Sequence, residues 1–243
     1  MKNLIITCAV LLSLLFSSCI TDYDGSFFGQ GIKGEGPITS KTLNHDGFTA
    51  VAISTSGELH LSQGDTYSVK VESHQNIIDN LETEVSGGTL KIGFDKPASS
   101  IESLKFFVTL PSLSGVSLAG SADVTGDSPF TGLENVDLEI AGSGNVRLNL
   151  EAKAVDISIA GSGDIELEGT ADGIEANIMG SGSVKAGSLS VRTAEVNIAG
   201  SGDCTIDATE QLEVNIAGSG NVYYLQSPEV ERSIAGSGSV ERK

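Results

Sequence analysis

The chain has 243 residues, 32 acidic against 14 basic side chains for a formal charge of −18, 30 glycines and no tryptophan. This length allows one or two domains with a real core. The acidic balance argues against a nucleic-acid partner, which requires clustered Lys and Arg, and suits solubility, cations or basic partners.

The chain opens with Lys2 and an apolar run from Leu4 to Phe16 that is short for a membrane-spanning helix. Ser17-Ser18 then places small residues directly before Cys19. This predicts a signal peptide over 1–18 and resembles the lipobox of bacterial lipoproteins, which implies acylation of Cys19 and attachment to a membrane through that lipid. Phe16 stands where the lipobox carries an aliphatic residue, so ordinary cleavage near Cys19 is the alternative. With Cys8 removed and Cys19 acylated, Cys204 stands alone and no intramolecular disulfide is expected. Residues 19–37 are polar and glycine-rich without periodicity, and read as a flexible tether.

Residues 38–112 are β in character but irregular, and read as an N-terminal β cap. Alternating segments occur at Phe48 to Ile53, Leu59 to Leu61 and Tyr67 to Val71. Asn76 to Glu82 reads as one or two helical turns with Ile77, Ile78 and Leu81 inward. Glu84 to Ile92 reads as a hairpin about Gly87-Gly88, and Leu104 to Leu110 as a further strand.

Residues 113–243 repeat one phrase, Ile140-Ala-Gly-Ser-Gly-Asn-Val146. Its leading glycines stand at 120, 142, 161, 180, 200, 218 and 236, so the spacings are 22, 19, 19, 20, 18 and 18, a coil of about 18–20 residues after the first. Apolar residues alternate on both sides, as in Val136, Leu138, Ile140 and then Val146, Leu148, Leu150. Each repeat is thus two period-2 strands joined by a Gly-Ser-Gly corner. Such a unit buries its apolar face only by stacking on copies about 4.8 Å away. The expected fold is all-β, a single-stranded parallel β-helix (β-solenoid) continuous with the cap over 38–243. The two glycines are expected to supply positive φ, the preceding alanine to permit close stacking, and the serine to form a hydroxyl ladder or bond the turn. Arg232 and Arg242 fall on inward positions of the last repeat and read as a polar end cap.

Register also aligns the outward residues. Asp137, Asp156, Glu175, Glu195, Glu213 and Glu231 place an acid at the same point of every coil. Each neighbouring pair at about 5 Å costs roughly 0.8 kcal/mol in water before screening. This row is the candidate binding face, for cations or a basic partner; a solvated face that discourages edge aggregation is the plainer reading. On the second strand Arg147, Glu166, Lys185 and Thr205 alternate in charge, as cross-strand pairing favours. The series Asp123, Asn145, Asp164, Ser183, Asp203, Asn221, Ser239 lacks the nine-residue period of calcium-binding β-rolls, and neutral residues separate its aspartates. A divalent-cation role there is the weaker reading beside a polar ladder. No catalytic constellation, metal cluster or cofactor motif is found. Cys204 replaces valine or isoleucine in its register and reads as core.

The lipobox-like start, Gln63-Gly-Asp-Thr-Tyr67, Ser86-Gly-Gly-Thr-Leu90 and the tandem Ile-Ala-Gly-Ser-Gly-Asn/Asp-Val coils together resemble the head GIN domain family of auto-transporter adhesins. The resemblance covers about 38–243. It implies a β-helical fold, a place in the cell envelope such as the outer membrane, and a non-catalytic adhesin or binding module with a glycan, matrix or envelope protein as partner. A carbohydrate-active β-helix enzyme and an envelope structural or stress accessory are the alternatives.

Overall fold

The computed structural model describes residues 31–94, 98–101 and 103–243. The expected signal peptide, Cys19 and the first part of the tether lie outside the described residues. β1 (Ile32–Lys33) and β2 (Ile38–Leu43) lead into β3 (Ala50–Ile53) and β4 (Glu58–Gln63). Then come β5 (Ser68–His74), a one-turn helix α1 (Gln75–Ile78), β6 (Leu81–Ser86), β7 (Thr89–Phe94), β8 (Ala98–Ser100) and β9 (Leu104–Leu110). The repeats supply β10 (Gly115–Gly120), β11 (Asp123–Gly126), β12 (Phe130–Gly142), β13 (Asn145–Gly161), β14 (Asp164–Gly180) and β15 (Ser183–Gly200). β16 (Cys204–Gly218), β17 (Asn221–Tyr224), β18 (Glu229–Gly236) and β19 (Ser239–Arg242) complete the stack.

The fold is the expected β-solenoid, of about seven turns with about 19 residues per turn. Its register is the one the repeats dictate. Val136, Leu138 and Ile140 lie over Val155, Ile157 and Ile159, and these over Ile174, Ala176 and Ile178, in parallel pairing. All nine are buried and form one core with their counterparts in later coils. Cys204 belongs to that core between Val184 and Val222. It is fully buried, and burial followed by the nearby Asp203 carboxylate pushes its thiol up to about 12, so it is a packing residue.

The corners work differently from expectation in three respects. Only the first glycine of each Gly-Ser-Gly has positive φ, between +126° and +144° from Gly120 to Gly236. The second is needed for space alone: a Cβ at Gly163 would lie 2.2 Å from the Gly144 carbonyl oxygen and 2.8 Å from Ile140 Cγ2. The alanine is not a stacking residue. It points outward, and Met179 at that position is 56% exposed. The serines act through their backbone: Ser162 N–H donates to Gly142 O at 2.9 Å and Ser201 N–H to Gly180 O at 2.8 Å.

The region over 38–112 holds more of the solenoid than its sequence suggested. β3 and β4 pair in parallel with β10 and β11, and β7 and β9 lie parallel to β3 and β4 on their other side. Ile53-Ser-Thr-Ser-Gly57-Glu-Leu59 is therefore a cryptic corner in the same register as the repeats. Antiparallel strands close this end, with β6 on β7, β5 on β9 and β2 on β5. The expected helical turn is present but shorter: α1 buries Ile77 and Ile78, whereas Leu81 and Glu82 open β6, and the β6–β7 hairpin turns at Gly87-Gly88, both of positive φ. The described end of the expected tether is fastened rather than free, because β1 pairs with β8 and Asn76 Nδ2 donates to Lys33 O at 2.7 Å. At the other end Arg232 keeps the register of Val214 but is exposed, and its Nη1 donates to Val240 O at 3.5 Å.

Candidate functional site

The acid row lies on the outward face of the first-strand sheet. Asp137, Asp156, Glu175, Glu195, Glu213 and Glu231 are consecutive partners across β12 to β16 and β18. The structure thus brings all six together in one line. Among the described residues no ion pair reaches any of them. Their mutual repulsion shows at Asp156, whose carboxyl is raised above its usual range, by partial burial first and then by Asp137 and Glu175.

Beside the acids runs an asparagine ladder that the sequence reading did not single out. Asn197 Nδ2 donates to Asn177 Oδ1 at 3.1 Å, and Asn215 Nδ2 to Asn197 Oδ1 at 3.0 Å. The same amides turn toward the acids: Asn177 Nδ2 is 2.9 Å from Glu175 Oε1 and Asn197 Nδ2 is 3.0 Å from Glu195 Oε1. Hydrogen bonds to charged acceptors are stronger than neutral ones. They offset part of the like-charge repulsion without neutralising the face. The signal was legible as Glu-x-Asn-Ile, which recurs at Glu175, Glu195 and Glu213.

On the other faces several ions are paired, while Glu151, Glu168 and Asp172 enter no ion pair among the described residues. Arg147 Nε meets Glu166 Oε2 at 2.9 Å, and Lys185 turns to Asp164 Oδ2 at 2.7 Å. Beyond the second corner Lys153 meets Glu134 at 2.6 Å and Arg192 meets Glu210 at 3.0 Å. The Asp/Asn/Ser series is a polar ladder that closes backbone groups: Asn145 Nδ2 donates to Asp123 Oδ1 at 2.7 Å, and Asp203 Oδ1 accepts from the Asn221 N–H at 2.8 Å. A cleft of about 480 Å³ near His60 is lined by Glu58, Arg147, Glu166 and Lys185, and its charges meet partners in the same surface. The acid row differs in stacking six acids as consecutive register partners.

A groove of about 1010 Å³ lies on the acid row's own face, at the β6–β7 end. Its floor includes Ala52, Ser117 and Ala119, and Glu139 stands at its edge. Among the described residues no group of three or more His, Cys, Asp or Glu side chains is placed to hold a metal ion.

Asp156→Asn removes two repulsive neighbours and is expected to stabilise the protein at pH 7 by up to about 1.6 kcal/mol before salt screening, since each pair near 5 Å costs at most roughly 0.8 kcal/mol in water. A carboxyl whose folded pKa is raised penalises the fold above that pKa, and the penalty fades as pH falls through it. The gain in melting temperature of the variant should therefore vanish at pH 3. A gain that persists there would contradict the electrostatic cause.

Among solved structures, a crystal structure of a "putative adhesin" from Bacteroides fragilis NCTC 9343 superposes with a TM-score of 0.84 at 27% identity, covering 88% of this chain and 100% of that one. A "putative lipid binding protein" from Parabacteroides distasonis ATCC 8503 gives a TM-score of 0.73 at 29% identity with the same coverage, 88% and 100%. A "putative adhesin" from the same organism gives 0.71 at 27% identity, again over 88% and 100%. No curated protein matches the chain in sequence. The family model described as "Putative auto-transporter adhesin, head GIN domain" matches residues 47–228, a span from the cryptic coil into the last connection, and the chain belongs to that family.

Proposed function

We propose that this protein is a lipid-anchored envelope protein that displays its solenoid as a non-catalytic, adhesin-like binding module. The docking face is the row Asp137, Asp156, Glu175, Glu195, Glu213 and Glu231, and the partner is a basic surface on a glycan-bearing, matrix or envelope protein. The observation that carries this reading is the contrast in charge: Glu151, Glu168 and Asp172 on the other faces are single acids between neutral or basic neighbours, whereas this row stacks six acids coil on coil with no ion pair among the described residues. Membership in an adhesin family supports the class of function, and unmet charge of one sign favours recognition of the opposite sign. The solenoid coils set the acids at a fixed repeat of about 4.8 Å, so the face is pre-organised.

Lipid anchoring at Cys19 rests on the lipobox-like start. Cys19→Ser in the full chain is expected to abolish incorporation of a labelled fatty acid, and retained labelling would remove the anchor from the proposal. The competing reading is a carbohydrate-active enzyme. In the described residues the three histidines are engaged: His45 with Thr83, His60 with Asp127 and His74 with the Gly36 carbonyl. The deciding experiment is a glycan and matrix-protein array probed with the chain, with product analysis of every glycan retained. Binding without turnover is expected. Cleavage of a glycan would replace the binding module with an enzyme.

A further inference from the structure

The groove on the acid face exists because two adjacent strands carry short side chains where the next coil, β12, carries Asp137 and Glu139. In β3 and the residue that follows it the outward positions are Ala50, Ala52 and Ser54, and in β10 they are Gly115, Ser117 and Ala119. The register partners of Gly115 and Ser117 in β12 are Asp137 and Glu139. This step in side-chain length, together with the β6–β7 hairpin, forms the groove of about 1010 Å³. At the hairpin end it meets Leu81 and Phe94, which face one another across β6 and β7 and pack half-buried on the core. Its floor continues through Ala141 and Ala160.

The rim is charged unevenly. Lys91 Nζ is already held by Glu84 Oε1 at 3.1 Å. Among the described residues Glu139 Oε2 accepts the Ser117 hydroxyl at 3.0 Å and enters no ion pair, and exposed Glu82 adds a further acid. Asp137 stands one outward position along the strand from Glu139, so the rim runs directly into the acid row.

We propose that the groove docks an extended polypeptide segment of a partner protein in which small or branched apolar residues alternate with lysine or arginine. Its apolar side chains lie on the Ala119–Ala141 floor, with one against Leu81 and Phe94, and its basic side chains reach Glu139 and then Asp137 and Asp156. The proposal rests on the reading of the acid row as a docking face and names its partner. The chemistry selects this occupant. Among the described residues the lining sets Glu82, Glu84 and Glu139 against one lysine, the paired Lys91, and this disfavours an anionic lipid headgroup. Phe94 is the only aromatic ring among the described residues of the lining, so sugar rings find no stacking platform on the floor they form. The volume lies at the top of the range for small-molecule pockets, roughly 300–1,000 Å³, and the groove is open along its length as a chain requires. An extended strand presents side chains alternately to two sides, which matches an apolar floor beside an acidic rim.

The test is fluorescence anisotropy of a labelled ten-residue peptide of alternating lysine and valine, titrated with the full chain. Lysine–serine and glutamate–valine peptides and phosphatidylglycerol vesicles are the comparison probes. The double variant Ala119→Met with Ala141→Met fills the floor with the side chain that Met179 already carries, exposed, in the same row, and circular dichroism and melting confirm the fold. The lysine–valine peptide is expected to bind best, to lose about tenfold or more in the double variant, to weaken in Glu139→Gln, and to be unaffected by Ala217→Met in the same row beyond the groove. Equal binding of lysine–valine and lysine–serine peptides that ignores the double variant would overturn the groove and leave the acid face standing. Failure of every lysine peptide would overturn both. Binding of the glutamate–valine peptide or the vesicles that the double variant abolishes would assign the groove to another partner and overturn this one.

Discussion

Gly161→Ala is expected to destabilise the solenoid by about 3 kcal/mol or more, far above an ordinary glycine substitution, because backbone strain and a steric clash act at once. Gly161 sits at φ +139°, and a Cβ there would lie 2.2 Å from the Gly142 carbonyl oxygen and 3.0 Å from its carbon. That same oxygen accepts the Ser162 N–H at 2.9 Å. Relief therefore means parting two coils at a hydrogen bond that recurs along the stack. Gly132 provides the matched control. It has φ +69° and open space around a would-be Cβ, so Gly132→Ala carries only the conformational cost of about 1–2 kcal/mol. Urea unfolding of the two variants separates the contributions, and equal losses would contradict the requirement for close stacking.

Phe106→Ala is expected to cost about 3–5 kcal/mol, the range for truncating a buried aromatic residue. Phe106 is fully buried on β9, where it pairs with Leu59 of β4 and Val71 of β5. β4 in turn lies against β11. The residues before the regular repeats thus share one core with them, and the variant should lower the midpoint of the whole unfolding transition. Hydrogen exchange makes the distinction residue by residue. Faster exchange through β12 and β13 as well as in β4, β5 and β9 is expected, whereas loss confined to 38–112, with wild-type protection of later coils, would show an independent cap.

The same residues explain how much of the fold could be read in advance. From Leu118 onward the repeats keep both letters and spacing, so register, core and acid row all follow from one alignment. The β3–β4 corner keeps the frame but not the letters, with Thr55 where later coils carry the first glycine. The stack is looser there: a Cβ at Gly120 would stand 3.2 Å from Thr55 O, against 2.2 Å between Gly142 and Gly120. A larger residue is accommodated and the repeat loses its signature. The next coil is hidden for another reason, because β7 and β9 lie outside β3 and β4 although they follow them in sequence. Stacking order and chain order disagree, and no linear period survives.

The candidate site was legible to a similar depth. Parity alone aligned Asp137 through Glu231, because a period-2 strand in fixed register leaves no freedom in which residues share a face. The asparagine ladder beside it was printed in the sequence as plainly as the acids, but its meaning depends on amide hydrogen bonds between coils. The groove could not be read at all. It depends on where the β6–β7 hairpin comes to rest beside β3 and β10, and on Leu81 and Phe94 meeting across that hairpin.

The most direct test of the docking face compares two triple variants with equal changes in net charge. Glu175→Gln, Glu195→Gln and Glu213→Gln remove acids from the unpaired row, while Glu134→Gln, Glu166→Gln and Glu210→Gln remove acids from the paired faces. Binding of each to a poly-L-lysine surface is measured against salt concentration. The first triple is expected to lose about tenfold or more in affinity with a shallower salt dependence, and the second to bind as the unaltered protein does. Equal loss in both, or no loss in either, would contradict a docking face built on the acid row.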